Sequence, residues 1–405
     1  MRKIASLLLV LFLFVALLTG CGAPATQEES PAATESPASS SESSADVSAS
    51  SGAAPAVPEA AQGKKIGVLF YSRDDALGSA VYGMLNHAAE ALGVEIVWKI
   101  GDTDPTAQIT AAENMIASGV DGIIMLPVSE SVTQKVAALC QENQVYYGIC
   151  FRTVADSQEI HDEVWANEYF VSSCIEDETA SAAQMIELMV EQGRTNLGIG
   201  YINPGNTLAT RNAGFDEGLA SSGATKLAEY TLPDTFDLNS IASTIQNFIS
   251  SFPEMDGIVW VGSSMGMGET ILNTLRSIDP EAKVPLATFD TFEGMEEGFA
   301  DGHLVGITGG HSVDALFTFM MVYNAVTGTP LAEEPQQLYN NYIFVTSAED
   351  CENYEKYIDN PDNWVYSAED IRSMAKVYNP DFSLEELQEI MSNYTLEDVV
   401  ARKGA

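Results

Sequence analysis

The chain has 405 residues, enough for two domains that each bury a substantial hydrophobic core. Aspartate and glutamate outnumber lysine and arginine by 58 to 18, which gives a formal net charge of −40. Nucleic acids and anionic membrane surfaces would repel so acidic a chain, so both are excluded as binding partners. The five cysteines show no paired spacing, which argues against a disulfide framework and against a zinc site.

The first twenty residues have the layout of a secretory signal peptide. Arg2 and Lys3 are followed by an apolar run from Leu7 to Leu18, which is shorter than a membrane-spanning helix needs. Residues 18–21 (LTGC) resemble the lipobox of bacterial lipoproteins. This resemblance implies cleavage before Cys21 and a lipid on Cys21 that tethers the protein to the outer face of the cytoplasmic membrane. The alternative is an ordinary signal peptide that contains a cysteine.

The next segment, residues 21–63, consists mainly of Ser, Ala, Pro, Glu and Gly, with almost no bulky apolar residue. Such a composition cannot bury enough surface to offset the entropy of ordering the chain. We therefore expect a disordered tether that holds the folded part away from the membrane.

From Lys64 onward, short apolar runs alternate with amphipathic segments of helix length. The first run, Ile66–Tyr71, is dense in β-branched and aromatic residues, which suits a strand buried on both faces of a parallel sheet. The further predicted strands are Glu95–Ile100, Gly122–Leu126, Tyr146–Cys150, Leu197–Ile202, Lys226–Thr231, Gly257–Val261, Pro285–Phe289 and Leu304–Ile307. The predicted helices between them include Thr106–Ser118, Val132–Glu142, Thr179–Gln192, Ala209–Ser222, Leu238–Phe252, Gly266–Ile278 and Val313–Val326. The alternation predicts an α/β protein with two parallel sheets, each placing ligands beyond the carboxyl ends of its strands.

The tail, residues 348–405, changes character. It contains three candidate capping boxes, which begin at Ser367, Ser383 and Thr395. We predict an acidic helical C-terminal extension whose function the sequence does not indicate.

At this point the chain resembles a family, the type I periplasmic substrate-binding proteins, and in particular their ribose-binding branch. The motifs that carry the resemblance, in family order, are the lipobox, KIGVLFY at residues 65–71, DGIIMLP at 121–127, RxxGF at 211–215, MDGIV at 255–259 and Phe289-Asp290. The resemblance implies two Rossmann-like lobes joined by a hinge of three crossing segments, near Val171–Cys174, Gly309–Ser312 and Asn340–Ile343. Lobe one would then comprise residues 64–172 and 311–340, and lobe two residues 173–310 and 341–347.

The resemblance also implies a function. Such proteins bind a small polar ligand between their lobes, here a sugar or sugar derivative, and deliver it to the permease subunits of an ABC importer. We expect a monomeric, extracytoplasmic protein held at the membrane only through the lipid on Cys21. The alternative is a binding protein of the same fold that presents its solute to a sensor kinase or chemoreceptor.

Two residues stand out as candidate ligand contacts by this resemblance. Asp290 matches an aspartate that binds sugar hydroxyls, and its alternative role is a helix cap for the segment that follows. Arg211 matches an arginine that grips the ligand from lobe two, and its alternative is a surface ion pair.

Four further residues fall at ligand positions of the family. Arg152 matches an arginine, and Phe236 matches an aromatic wall, with a core phenylalanine as the alternative. Asp75 and Ser263 fall where the family has asparagine.

Other positions depart from the family pattern. Phe151 replaces an aspartate, Gly310 replaces a glutamine, and Leu77-Gly78 replaces a pair of aromatic residues in the first loop. These departures argue against ribose itself as the ligand. The aromatic residues that could compensate are Tyr71, Trp165, Trp260 and His311.

The sequence gives no support for catalysis. Its four histidines form no HExxH motif, and neither GxSxG nor a P-loop is present. The glycine-rich residues 262–268 lack the P-loop lysine and are interpreted as a tight turn. We therefore predict a binding protein without a cofactor or metal.

Overall fold

The computed structural model describes residues 56–73, 76–100, 104–204, 208–233, 235–358 and 360–404. The signal peptide, Cys21, most of the predicted tether and Asp75 lie outside the described residues.

The secondary structure alternates strands and helices along most of the chain. The first elements after a short 3-10 turn (Glu59–Ala61) are β1 (Lys65–Phe70), α1 (Ala76–Leu92), β2 (Glu95–Ile100), α2 (Pro105–Ala117), β3 (Gly122–Met125), α3 (Glu130–Asn143), β4 (Tyr146–Cys150), α4 (Gln158–Trp165) and β5 (Phe170–Glu176). The next are α5 (Glu178–Glu191), β6 (Asn196–Ile202), α6 (Thr210–Ser222), β7 (Thr225–Leu232), α7 (Leu238–Ser251), β8 (Gly257–Trp260), α8 (Met267–Ile278), β9 (Leu286–Thr288), α9 (Met295–Asp301) and β10 (Leu304–Gly309). The last are α10 (Val313–Val326), β11 (Gln336–Asn340), β12 (Ile343–Val345), α11 (Ala348–Tyr357), α12 (Ala368–Ser373), α13 (Leu384–Ser392) and α14 (Leu396–Arg402).

The strands form two six-stranded sheets. The first has the order β11-β5-β4-β3-β1-β2, and all of its neighbouring strands are parallel. The second has the order β12-β10-β9-β8-β6-β7 and is parallel except at its edge, where β12 runs antiparallel to β10. Each sheet and its helices form one lobe, which confirms the predicted α/β class with two lobes.

Helix α10 is the central helix of the first lobe. All fourteen of its residues are buried, because it packs against β3, β4 and β5 on one side and against α1 on another. The close approach depends on glycine, since a Cβ at Gly148 would lie 2.6 Å from Thr318 and one at Gly122 would lie 2.6 Å from Val322.

The chain passes between the two sheets three times, and these three crossing segments are the hinge. They follow β5, precede α10 and join β11 to β12. The resemblance placed the first crossing at Val171–Cys174, but β5 stays paired with β11 through Glu176. The chain therefore leaves the first sheet only after Glu176, because β11 pairs with β5 from Ser172 to Glu176.

The C-terminal extension, residues 348–404 of the described chain, is helical as predicted. Ser367 with Asp370 and Ser383 with Glu386 form the two-way bonds of a capping box. At Thr395 the side chain accepts a bond from the backbone N–H of Asp398. No helix among the described residues is both long and apolar enough to cross a membrane.

Candidate functional site

The carboxyl ends of the two sheets meet at the hinge through a chain of aromatic contacts. Phe70 ends β1, and its ring centroid lies 5.9 Å from that of Phe151, which follows β4. Phe151 in turn lies 5.9 Å from His311 of the second crossing, and His311 lies 5.2 Å from Tyr342 of the third. Tyr342 lies 5.8 Å from Phe289, which follows β9 of the second sheet. The two strand edges that the sequence predicts to carry the ligand are therefore joined at the hinge.

Arg211 lies in the first turn of α6 and is buried, with 2% of its surface exposed. Its Nε and Nη2 donate to the two carboxylate oxygens of Glu178, at 2.6 and 3.0 Å. Nη1 donates to the carbonyl oxygen of Val261 at 2.8 Å, and Nη2 also donates to the Tyr342 hydroxyl at 2.8 Å. The guanidinium lies 4.1 Å above the ring of Phe289. The alternative of a surface ion pair is wrong, because the side chain is enclosed.

The charge of Arg211 survives this burial. Burial alone lowers the pKa of an arginine, but the adjacent Glu178 carboxylate raises the pKa of Arg211 well above its usual value. The four hydrogen bonds use four of the five guanidinium hydrogens, and the fifth is on Nη1. That nitrogen lies 3.9 Å from Oδ2 of Asp290, which is beyond hydrogen-bond length.

Asp290 follows β9 and has a left-handed backbone, with φ of 65°. Aspartate tolerates this conformation better than most residues. The Ser263 hydroxyl donates to the backbone carbonyl of Asp290, so Ser263 fixes that turn. The Asp290 side chain is 25% exposed and can accept hydrogen bonds from outside. The alternative of a helix cap is wrong, because the residue before α9 is Gly294.

Arg152 lies on the first-lobe side of the aromatic contacts and not within the group formed by Arg211, Ser263 and Asp290. It is half-buried, and its Nη1 donates to the carbonyl oxygen of Phe151 at 2.6 Å. Phe151 itself has a left-handed backbone, with φ of 61°, and is buried. The phenylalanine that stands in place of the family aspartate thus packs against Phe70 and His311.

The other candidates are distributed differently. Phe236 is half-buried and packs against the hydrophobic core, and Asp75 is outside the described residues. Trp260 is fully buried and stacks on Tyr230 at 5.8 Å, so it belongs to the core of the second lobe. Trp165 packs on its own lobe.

Of the two other aromatic candidates, Tyr71 lies at the strand edge, 5.1 Å from Phe70, and His311 is part of the aromatic chain described above.

The sequence did not predict a buried polar cluster in which each crossing segment supplies one residue. Glu176 ends β5, Asp314 is the second residue of α10, and Asn340 ends β11 directly opposite Glu176 in the sheet. The sequence feature that could have indicated this cluster is the position of its members, since each of the three residues lies beside a predicted crossing.

Burial dominates the electrostatics of this cluster. It raises the pKa of Asp314 to about 8, a rise that contacts with Asn340 and Glu176 oppose. Burial also raises the pKa of Glu176 well above its usual value. The charges of Asp314 and Glu178 raise this pKa further by smaller amounts, while the charge of Arg211 lowers it. The two carboxyls of the pair therefore hold at least one proton at neutral pH.

No group of three or more His, Cys, Asp or Glu side chains within the described part of the chain is placed to hold a metal ion. The four cysteines of that part, Cys140, Cys150, Cys174 and Cys351, are free and buried. The side chains at the strand edges offer hydrogen bonds, through Arg211 and Asp290, and apolar contact, through the aromatic chain.

Comparison with known proteins gives one family match. A family described as "periplasmic binding protein domain" matches residues 66–329. The xylitol-binding protein of Mycolicibacterium smegmatis is 27% identical over 256 residues, which are 60% of this chain and 66% of that protein. This chain thus spans just under two thirds of the length of that relative.

Solved structures share the fold. A sugar-binding protein of a sugar ABC transporter from Bacillus halodurans superposes with a TM-score of 0.60 at 17% identity, over 72% of this chain and 99% of that one. An ABC transporter periplasmic solute-binding protein from Actinobacillus succinogenes with bound D-allose gives 0.59 at 14% identity, over 72% of this chain and 100% of that one. At these identities the structural matches show the fold alone.

Proposed function

Since this chain belongs to the periplasmic binding protein domain family, we propose that it captures a small polar ligand between its lobes and delivers it to an ABC importer. The family assignment confirms a binding protein rather than an enzyme, and a location outside the cytoplasm. The ligand we propose is a sugar or a sugar derivative such as a polyol.

The observation that carries this proposal is the gap of 3.9 Å between Nη1 of Arg211 and Oδ2 of Asp290. A ligand hydroxyl is both a donor and an acceptor, so one hydroxyl can accept the remaining Nη1 hydrogen and donate to the carboxylate. Both hydrogen bonds involve a charged group and are therefore stronger than neutral ones. The aromatic chain through Phe151 and His311 supplies an apolar surface for the CH groups of the same ligand.

The remaining candidates take supporting roles in this proposal. Ser263 sets the turn from which Asp290 projects. We assign Arg152 to the first-lobe side of the ligand and Phe236 to its second-lobe side, and Asp75 stays a candidate by the family resemblance alone.

The side chains on the first-lobe side of the proposed site restrict the class of ligand. Phe151 and Gly310 stand where the ribose-binding branch has an aspartate and a glutamine, so fewer polar groups face the ligand from that side. A ligand with fewer hydroxyls toward the first lobe therefore has a smaller free-energy cost of desolvation, because fewer of its hydroxyls are buried without a hydrogen-bond partner. The relative named for xylitol supports a polyol as the first compound to test.

We also propose that Cys21 carries a lipid that anchors the protein to the outer face of the cytoplasmic membrane. Residues 18–21 (LTGC) and the apolar run before them support this assignment. The ABC permease would then meet the folded lobes at the end of the tether.

A thermal-shift screen of the purified protein against pentoses, hexoses, polyols and nucleosides tests the proposal. A ligand that binds only the folded state raises the melting temperature, and the rise increases with ligand concentration. Asp290→Asn should abolish the shift, because the amide replaces an acceptor oxygen with a donor.

The matched control is Glu254→Gln, which removes an exposed charge at the opposite, amino-terminal end of β8. It should keep the full shift. A shift that survives in Asp290→Asn would remove that carboxylate from the site, and a screen without any specific shift would contradict the proposed ligand class.

A further inference from the structure

We propose that the C-terminal extension is a brace on the hinge, in which Tyr354 and Tyr394 are positioning residues that set how far the two lobes open. This inference rests on the proposed function, since lobe movement is the means by which a ligand would be enclosed. The extension lies beyond residues 66–329, the part of the chain that matches the family.

The brace holds the second crossing segment by its backbone. The N–H of Gly310 donates to the Tyr354 hydroxyl at 2.7 Å, and the Tyr394 hydroxyl donates to the carbonyl oxygen of Gly310 at 2.7 Å. Both bonds are buried, so both polar groups of one hinge residue depend on the extension. Gly310 has a φ of 76°, and a Cβ there would lie 3.0 Å from the Tyr394 hydroxyl oxygen.

The brace also contacts the third crossing segment. The Asn341 side chain donates to the backbone carbonyl oxygen of Ser392 at 2.8 Å. On either side of this crossing, α13 packs against β11, and α11 and α14 pack against β12.

The extension is attached to the first lobe at several points. The His87 ring stacks on Trp364, with centroids 5.7 Å apart. Arg372 donates from Nε to the carbonyl oxygen of Ala91 at 3.0 Å, and the Tyr378 hydroxyl donates to that of Leu92 at 3.2 Å. These bonds fix the extension to the end of α1.

The second lobe is attached through α11, which packs against α9. The extension therefore contacts both lobes and two of the three crossing segments. When lobes rotate about a hinge, the crossing residues change their backbone angles. An element that bonds the crossing backbone and both lobes favours the arrangement that keeps its contacts, and so it biases the equilibrium between open and closed lobes.

The link from the brace to the site is short. Gly310 is followed by His311, whose ring contacts both Phe151 and Tyr342 in the aromatic chain between the sheets. The hydroxyls of Tyr354 and Tyr394 thus act on the site through the backbone of Gly310, which precedes His311. They do not touch the proposed ligand position.

Electron-spin distance measurements on the full-length, ligand-free protein test this inference. Spin labels are placed on the exposed positions Glu113→Cys in α2 and Gln246→Cys in α7, which flank different sheets. Cys21→Ser is included, and the four buried native cysteines are left unchanged.

The test variant carries Tyr354→Phe and Tyr394→Phe, and the matched control is Tyr378→Phe. The control also removes a hydroxyl that bonds a backbone carbonyl from the extension, but it bonds only the first lobe, where Arg372 and Trp364 still hold the extension. We expect the double variant to shift or broaden the distribution of distances between the lobes, and the control to superimpose on the wild type.

Loss of stability alone would not produce this pattern, since the control removes a bond of the same kind. If the double variant does not fold, each single variant is measured, because each removes one of the two bonds to Gly310. A distribution unchanged from the wild type, or shifted equally by Tyr378→Phe, overturns the inference. The measurement needs no ligand, so a failed ligand screen leaves its outcome independent.

Discussion

The Arg211 guanidinium and the Glu178 carboxylate form a two-bonded ion pair, with 2.6 Å between Nε and Oε2 and 3.0 Å between Nη2 and Oε1. The Tyr342 hydroxyl completes the arrangement by donating to Glu178 Oε1 at 3.1 Å and accepting from Arg211 Nη2. The pair thereby ties the first turns of α5 and α6 to the third crossing segment. It fixes the base of the second lobe against the hinge.

Glu178→Gln should destabilise the protein strongly. The change leaves a buried guanidinium without its main countercharge, and loss of one partner from a buried pair costs about 3–5 kcal/mol. Urea unfolding followed by circular dichroism measures the loss as a lower midpoint. Glu191→Gln, at the exposed far end of the same helix, should leave the midpoint nearly unchanged. Equal midpoints for the two variants would show that the ion pair contributes little.

The stability of the protein should fall as the pH rises from about 4 to about 8. Glu176 and Asp314 have folded-state pKa values above the ~4 of free carboxyls. Across this interval the folded state therefore holds protons that the unfolded state has released. The stability they contribute is fully present below pH ~4 and is lost as the pH rises through the folded-state pKa, about 8 for Asp314.

Glu176→Gln should flatten this pH dependence, because the amide does not titrate. One carboxyl that is protonated only in the folded state contributes a slope of up to about 1.4 kcal/mol per pH unit. Free energies of unfolding from urea titrations at several pH values measure the slope, again with Glu191→Gln as the control. An identical slope in wild type and Glu176→Gln would assign the pH dependence to other groups.

Gly310→Ala should cost more stability than Gly223→Ala, although both glycines have nearly the same backbone. Their φ values are 76° and 75°, so an alanine is strained by a similar amount at each, about 1 kcal/mol. A Cβ at Gly310 would also lie 3.0 Å from Tyr394 and 3.1 Å from Ile343, whereas a Cβ at Gly223 has nothing within 4 Å.

The difference between the two melting temperatures measures the contact at Gly310 alone. Equal stability losses in Gly310→Ala and Gly223→Ala would indicate that Tyr394 and Ile343 move aside at little free-energy cost.

Cys21→Ser should abolish the attachment of a fatty acid to the protein. A serine has no thiol to carry a lipid. Incorporation of a labelled fatty acid in cells that export the protein measures this attachment, with Ala25→Ser as a nearby control that keeps the cysteine. Equal labelling of the Cys21→Ser protein and the control would contradict the lipid anchor.

The sequence predicted several regular elements to the residue. The bounds of β2, β4 and α10 agree with the predicted ones, since each element is bounded by clear turn or crossing residues. The short strands β11 and β12 were recognised only as a crossing. Strand β5 was missed in the same way, because its interior holds Ser172 and Ser173 and has no continuous apolar run.

The site was predictable only in part. The family resemblance pointed to Arg211, Ser263 and Asp290, and the structure places these three together, while their roles toward a ligand stay predictions. It did not point to Glu178 or Tyr342, which lie 33 and 131 residues away from Arg211 in the chain. Contacts between such distant polar residues leave no periodic pattern in a single sequence.

The order in which the strands enter the two sheets has a consequence for biosynthesis. Strands β11 and β12 each cover an edge, that of β5 in one sheet and that of β10 in the other, and both come after residue 335. A growing chain therefore cannot complete either sheet until nearly all of it has left the ribosome, and the uncovered edges delay final folding. We expect such a delay to favour export, because a secretion channel takes up chains that have not yet folded.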